Sequence, residues 1–207
     1  MKPRVGIVGY GMGNITSLRN AFVNIGVDVF VAKTPPQLGD ATHIVLPGVG
    51  AFPRGMEQLR TLGFEAELRR LVLAEQRPCL GICLGMQLLA STGEEHRLCD
   101  GLGFIQGQVK LLTAPGLRIP HIGWNDTYAK RDGLLSEADG KTACFYYVHS
   151  YHLIPDDPAT VVMTCSYGQE FVAGVRSGNI FGVQFHPEKS HSTGLSVLRR
   201  FAEMPAC

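Results

Sequence analysis

The chain has 207 residues, 45% of them hydrophobic and 18% charged, with a formal net charge of +1. A chain of this length buries roughly 70% of its unfolded surface, enough to fold without a disulfide or a metal. Nineteen basic residues against eighteen acidic ones remove the main argument for nucleic-acid binding, and the doublets Arg69-Arg70 and Arg199-Arg200 read as solvated helix faces.

Arg4–Gly9 reads as a buried strand. Asn14 is the predicted N-cap of a helix in which Ile15, Leu18, Phe22 and Ile25 recur at helical spacing. Between the two, Gly9-Tyr10-Gly11-Met12-Gly13-Asn14 imitates a dinucleotide-binding fingerprint. Asparagine stands where the third glycine is needed, however, and the second strand ends Val31-Ala32-Lys33 with no acid to hold a ribose. A tight strand-to-helix turn is the preferred reading. Val27–Ala32 and His43–Leu46 are the second and third strands. Helices are predicted from Phe52 to about Leu62 and from Phe64 to Gln76, the latter with a stripe of Leu68, Leu71 and Val72. Cys79–Ile82 is a short strand and Leu84–Ser91 a helix. This alternation predicts a parallel sheet covered by helices on both faces.

The second half differs. Phe104–Leu112, Ala143–His149, Val161–Cys165, Phe171–Arg176 and Ile180–Phe185 are strand-like, with few helices between them. Gly178-Asn179 reads as the turn of a hairpin joining the last two. A closing helix runs from about Thr193 to Glu203, with Leu195, Leu198 and Phe201 as its apolar face. No linker or repeat divides the chain, so residues 1–207 are expected to form one α/β domain. Its architecture is a three-layer open sheet, mostly parallel, with antiparallel C-terminal strands.

The longest uncharged apolar stretch, 78–93, contains three glycines and Gln87. It falls short of the roughly 20 residues that span a membrane. The apolar N-terminal run is cut by Gly9, Gly11, Gly13 and Asn14, which argues against a signal peptide and for a cytoplasmic protein. Cys79, Cys83, Cys99, Cys144, Cys165 and Cys207 are expected to be free thiols, with Cys144 and Cys165 buried in the core. No C-x-x-C spacing occurs, and His149 and His152 have no third ligand nearby in sequence, so neither a metal nor a cofactor is expected.

The informative segment is Gly81-Ile82-Cys83-Leu84-Gly85-Met86-Gln87. G-x-C-x-G is the thiol counterpart of the G-x-S-x-G elbow, a sharp strand-to-helix turn that presents a nucleophile above a sheet. The flanking glycines permit close packing of a strained turn. The helix N-terminus favours the reactive thiolate, and the Leu84 N–H points to where an oxyanion forms. A thiol nucleophile needs a base, and Gln184-Phe185-His186-Pro187-Glu188 offers one. Two residues apart across a proline in an extended segment, His186 and Glu188 project the same way, so the carboxylate can orient the imidazole. Nucleophile, base and orienter complete the logic of a catalytic triad.

With these two motifs the sequence resembles the class I (triad) glutamine amidotransferases, and within them the glutaminase subunits of imidazole glycerol phosphate synthases. Further blocks carry the resemblance along the chain: Gly9–Asn14, Pro47-Gly48-Val49-Gly50-Ala51-Phe52, His121-Ile122-Gly123-Trp124-Asn125, Val148-His149-Ser150-Tyr151 and His186–Ser190. The resemblance implies that Cys83 forms a glutamyl thioester, that His186 moves the protons and that Glu188 holds His186 in register. It implies an oxyanion hole from the Leu84 N–H and a backbone N–H of Gly48-Val49-Gly50. It places Gly48, Gly50, Gln87, Ser150 and Tyr151 around the glutamine. The implied partner is a (β/α)8-barrel cyclase that uses the ammonia in histidine biosynthesis, in a heterodimer. Trp124, Asn125 and Lys189 lie in blocks associated with the side facing it. Two alternatives stand beside this reading. One is another glutaminase of the superfamily, against which the His121–Asn125 block and the Val49 loop count. The other is a non-catalytic subunit, against which the intact Cys83, His186 and Glu188 count.

Overall fold

The computed structural model describes residues 2–131, 133–134 and 142–206; Cys207, read above as a free thiol, lies outside the described residues. The first half alternates as its periodicity predicts. In order come β1 (Arg4–Val8), α1 (Ile15–Asn24), β2 (Asp28–Ala32), α2 (Pro35–Leu38), β3 (His43–Leu46), α3 (Phe52–Thr61), α4 (Phe64–Leu68), β4 (Cys79–Ile82) and α5 (Leu84–Leu88). Past Leu68 the helix widens into a π-helical stretch over Arg69–Ala74, with Leu71 and Val72 still buried. Asn14 occupies the N-cap of α1 but makes no side-chain cap bond. Helix α5 stops short of the predicted Ser91, because the Leu88 carbonyl accepts from Leu102 N–H at 2.9 Å and the chain turns away.

The strands that follow are β5 (Thr92–Gly93), β6 (Cys99–Asp100), β7 (Gly107–Leu111), β8 (His121–Ala129), β9 (Thr142–His149), β10 (Tyr151–Pro155), β11 (Val161–Tyr167), β12 (Gln169–Ser177) and β13 (Ile180–Val183); α6 (His191–Ala202) closes the fold. A nine-stranded sheet runs β2-β1-β3-β4-β13-β12-β11-β8-β9. Pairing is parallel from β2 to β13 and antiparallel from β13 to β9. The Gly178-Asn179 turn joins β12 to β13 as expected, with Ser177 opposite Ile180. A second sheet, β10-β7-β5-β6, is an addition to the one sheet read from the sequence.

Strand alternation explains the layers. Val5, Ile7, Val45, Leu80 and Ile82 face α1 and α6 through Leu18, Phe22, Val197, Leu198 and Phe201. Val8, Ile44, Leu46 and Cys79 face the other way, onto Phe52, Met56, Leu59, Phe64 and Leu68 of α3 and α4 and onto Val109 and Leu153 of the small sheet. Every residue of β3, β4 and β13 is buried, as befits strands covered on both faces. Among the described residues no helix is long and apolar enough to cross a membrane. The predicted burial of Cys165 holds, but Cys144 is exposed. It sits on β9, an edge strand of the large sheet, where Ala143, Phe145 and Tyr147 take the inward positions and Cys144 the outward one.

Candidate functional site

Strands β3, β4 and β13 are neighbours and parallel, so their carboxyl ends lie side by side. Open α/β sheets place their sites at such an edge. Here β3 delivers the Pro47–Gly50 loop, β4 delivers Cys83, and β13 delivers Gln184 and His186. Residues more than a hundred positions apart meet because β13 inserts beside β4.

Cys83 has φ 54° and ψ −111°, outside the ordinary basins of an L-residue. Its N–H donates to the Val183 carbonyl at 2.8 Å, which pins the elbow to β13. The flanking glycines are steric necessities: a Cβ on Gly81 would lie 2.6 Å from the Gly85 carbonyl oxygen, and one on Gly85 only 1.8 Å from that of Leu46. As the first residue of α5, Leu84 has an N–H with no intrahelical acceptor.

His186 Nδ1 lies 2.9 Å from Glu188 Oε1, and the two side chains are 2% and 4% exposed. The segment between them is a 3-10 turn, Pro187–Lys189, and not the extended stretch expected from the proline. The turn folds the carboxylate back to the ring and gives the predicted pairing by another route. Burial alone pulls the imidazole toward neutrality; the Cys83 sulfur and the Glu188 carboxylate together outweigh it and raise its pKa. His186 Nε2 is buried with no hydrogen-bond partner among the described residues, which leaves it for a reacting group. Ser190 braces the dyad: its Oγ donates to the His186 carbonyl at 2.7 Å and accepts from Tyr146 N–H at 3.0 Å.

A cleft of about 380 Å³ opens over Cys83. It is lined by Val49, Gly50, Ala51, Leu84, Gln87, Glu95, Pro120, Val148, His149, Ser150 and Tyr151. Of the residues named from sequence, Val49, Gly50, Leu84, Gln87, Ser150 and Tyr151 are therefore in its wall. Gly48 lies behind the wall, bordering a small void with His186 and Glu188. A Cβ there would come within 2.8 Å of both Leu84 Cβ and Tyr10 Oη. The glycine-rich turn Gly9–Asn14 seats this loop: Tyr10 Oη donates to the Pro47 carbonyl at 2.7 Å, and a Cβ on Gly13 would touch Pro47 at 3.3 Å. Burial, then the nearby Cys83, hold the Tyr10 hydroxyl above its ordinary pKa range, so it stays a donor.

Gln87 is nearly fully buried, and its amide nitrogen is committed. It donates to the Tyr151 carbonyl at 2.8 Å and to Gln184 Oε1 at 3.1 Å. The Tyr151 carbonyl also binds His149 Nδ1 at 2.9 Å, which fixes the proton on Nδ1; His149 Nε2 then accepts from His121 Nδ1 at 3.1 Å. Both rings are neutral, burial lowering His149 to about 3 and His121 to about 4. Among the described residues no group of three His, Cys, Asp or Glu side chains gathers to hold a metal.

Two residues of the site were not singled out in the sequence. Glu95 places a carboxylate in the cleft wall and caps α3 by accepting from Phe52 N–H at 2.7 Å. Gln184, fully buried, reaches Cys83. Glu95 follows another acid in a turn and looks like any surface glutamate; Gln184 lies inside the Gln184–Glu188 motif, where the histidine and the acid carry the signal. Of the three residues associated with the partner-facing side, Trp124 is 47% exposed and stacks on His191, and Lys189 is exposed over the Tyr146 ring. Asn125 turns to the protein instead, donating to the Ser166 carbonyl at 2.8 Å.

Comparison with known proteins supplies the family. Residues 7–204 match the family described as glutamine amidotransferase class-I. Imidazole glycerol phosphate synthase subunit HisH of Moorella thermoacetica is 44% identical over 204 residues, covering 99% of this chain and 96% of that protein. The chloroplastic imidazole glycerol phosphate synthase hisHF of Arabidopsis thaliana is 42% identical over 95% of this chain, which matches 33% of that longer protein. Among solved structures, that of PurLQS from Thermotoga maritima superposes with a TM-score of 0.74 at 23% identity, covering 97% of this chain and 98% of that one, a likeness of fold. The chain belongs to the class-I glutamine amidotransferases, among the HisH subunits of imidazole glycerol phosphate synthase.

Proposed function

We propose that residues 1–207 form a single glutaminase unit that hydrolyses glutamine through a Cys83 thioester and passes the ammonia to a (β/α)8-barrel cyclase subunit in a heterodimer. The observation that carries the chemistry is a strained, positive-φ cysteine beside a buried histidine whose other nitrogen is held by a carboxylate.

The Cys83 sulfur attacks the side-chain amide carbon of glutamine, and the carbonyl oxygen becomes an oxyanion. The Leu84 N–H and a backbone N–H of the Gly48-Val49-Gly50 loop receive it, each well-placed donor being worth about 10²–10³ in rate. His186, charged because Cys83 and Glu188 favour its protonated form, gives its proton to the departing nitrogen as the C–N bond breaks. Neutral His186 then takes a proton from water, whose oxygen attacks the thioester carbonyl; the C–S bond breaks and glutamate leaves. Glu188 keeps the ring oriented throughout. Ser150 and Tyr151 hold the glutamine, and Gln87 fixes the Tyr151 carbonyl in the wall. Glu95 faces the substrate's α-ammonium, a charge that a free amino acid carries and a protein side-chain amide lacks.

The experiment is ammonia release from glutamine, for this chain alone and mixed with a histidine-pathway cyclase barrel and its ribotide ligand. A large rise in the mixture supports both chemistry and partner. A lively basal rate with no rise keeps the glutaminase and reassigns the acceptor. Cys83→Ala abolishes release while leaving the fold and the complex intact; activity in that variant rejects the nucleophile.

A further inference from the structure

We infer that Gln184 holds and stabilises the Cys83 thiolate, with Gln87 fixing the orientation of its amide. Gln184 is fully buried at the end of β13, one residue past Val183. Its Nε2 lies 3.6 Å from Cys83 Sγ.

Which end of an amide faces a neighbour is settled by the neighbours' chemistry. The chain of assignments starts at a backbone carbonyl, which can only accept. Tyr151 O therefore faces the nitrogen of Gln87, at 2.8 Å. The second hydrogen of that nitrogen points to Gln184 at 3.1 Å, so the Gln184 atom there is the oxygen. The Gln184 nitrogen is then left facing the sulfur, as a donor. A donor suits a thiolate better than a thiol, because hydrogen bonds to an ionised acceptor are the stronger kind. The backbone reinforces the placement: Gln184 N–H donates to the Ala173 carbonyl at 2.9 Å, which locks the residue onto β12. Gln87 thus does two things at once, setting the cleft wall through Tyr151 and the nucleophile through Gln184.

The inference rests on Cys83 being the nucleophile, and its test is arranged so the two can fail separately. The probe is iodoacetamide, with labelling of the Cys83 peptide followed by mass spectrometry against pH in the full-length chain. The titratable groups around the sulfur are His186 backed by Glu188, Tyr10 from the glycine-rich turn, and His149 across the cleft. They are unchanged in Gln184→Met, so the difference between variants reads the amide alone. Gln184→Met is expected to move the midpoint of labelling up by about 1 pH unit, a loss of thiolate that approaches tenfold at pH below the midpoint and vanishes well above it. Glutaminase kcat should fall by up to about tenfold on the acid side of its pH profile, with KM changing less than about twofold. A lower Tm with an unmoved midpoint means Gln184 is only a packing element and overturns the inference. Should Gln184→Met fail to fold, the side-chain amide protons of Gln184 are followed by ¹⁵N NMR in Cys83→Ala. One amide proton is expected to shift upfield, and no shift overturns the inference. Activity surviving in Cys83→Ala sinks the nucleophile reading instead, whatever the midpoint does.

Discussion

Cys83 owes its position to a backbone conformation that its own side chain does not favour, held by a 2.8 Å bond to Val183 and by two glycines that leave no room for a Cβ. At this scale the sequence was most informative where chemistry and sterics coincide. Gly81, Cys83 and Gly85 announced the turn, and His186 with Glu188 announced the dyad, because few other arrangements need those residue types at that spacing. What stayed hidden were side chains whose role depends on a neighbour from far along the chain. Glu95 is the clearest. Its carboxylate joins the cleft only because the turn after β5 folds back against α3. We expect Glu95→Gln to raise KM for glutamine about tenfold or more with a much smaller change in kcat, since it removes a charge from the substrate's far end and touches no reacting atom. Steady-state kinetics decide it; an equal fall in kcat would place Glu95 in the chemistry.

Among the elements, the central strands and the helices that cover them were legible because an apolar run buried on both faces has no other place in a chain of this composition. Strands β8 and β10 were not. Strand β8 reads His-Ile-Gly-Trp-Asn-Asp-Thr-Tyr-Ala, with only His121 and Thr127 buried, so its polar content conceals a strand that pairs on both sides. The π-helical stretch after α4 was equally invisible, since Leu68, Leu71 and Val72 satisfy either period. Among the described glycines, Gly85 leaves the least room for a Cβ, at the junction of α5 with the end of β3. Gly85→Ala drives a methyl to 1.8 Å from a backbone oxygen that cannot step aside. We expect it to cost about 3 kcal/mol or more, a Tm lower by roughly 6–12 °C, measurable by thermal melting. An unchanged Tm would mean that α5 slides freely along β3.

Considered whole, the molecule buries its histidines to an unusual degree: His43, His121, His149, His152 and His186 are each at most 6% exposed. For four of them burial prevails and favours the neutral ring. A histidine that titrates near 6.5 unfolded and near 4 folded binds its proton first in the unfolded chain. Stability is then complete above 6.5 and is lost as pH falls through that window. His186 has the opposite sign: its contribution is complete below 6.5 and is lost only as pH rises. The neutral set therefore contributes to the acid limb, together with Glu67 and Glu170, whose carboxyls are held below their usual range by Arg70 and by Lys130 with Thr164. His152, lowered to about 4, borders a surface cavity of about 540 Å³, and its Nδ1 has no partner among the described residues. His152→Phe should leave stability near neutral pH almost unchanged. It should also flatten the slope between pH 6 and 5 by about one proton, or about 1.4 kcal/mol per pH unit. Chemical denaturation across that range checks it, and an unaltered slope would show that the ring titrates alike in both states.

The insertion of β13 between β4 and β12 also ties the elbow to the closing of the sheet. The edge of β4 that faces the antiparallel half is covered by residues 180–183, which come from a strand about a hundred positions further along the chain. The same strand supplies the carbonyl that pins Cys83 and leads directly into His186. Without β13 in place, Cys83 lacks both the carbonyl that pins its turn and the histidine beside it. The strand that closes the sheet is also the one that sets Cys83 beside His186.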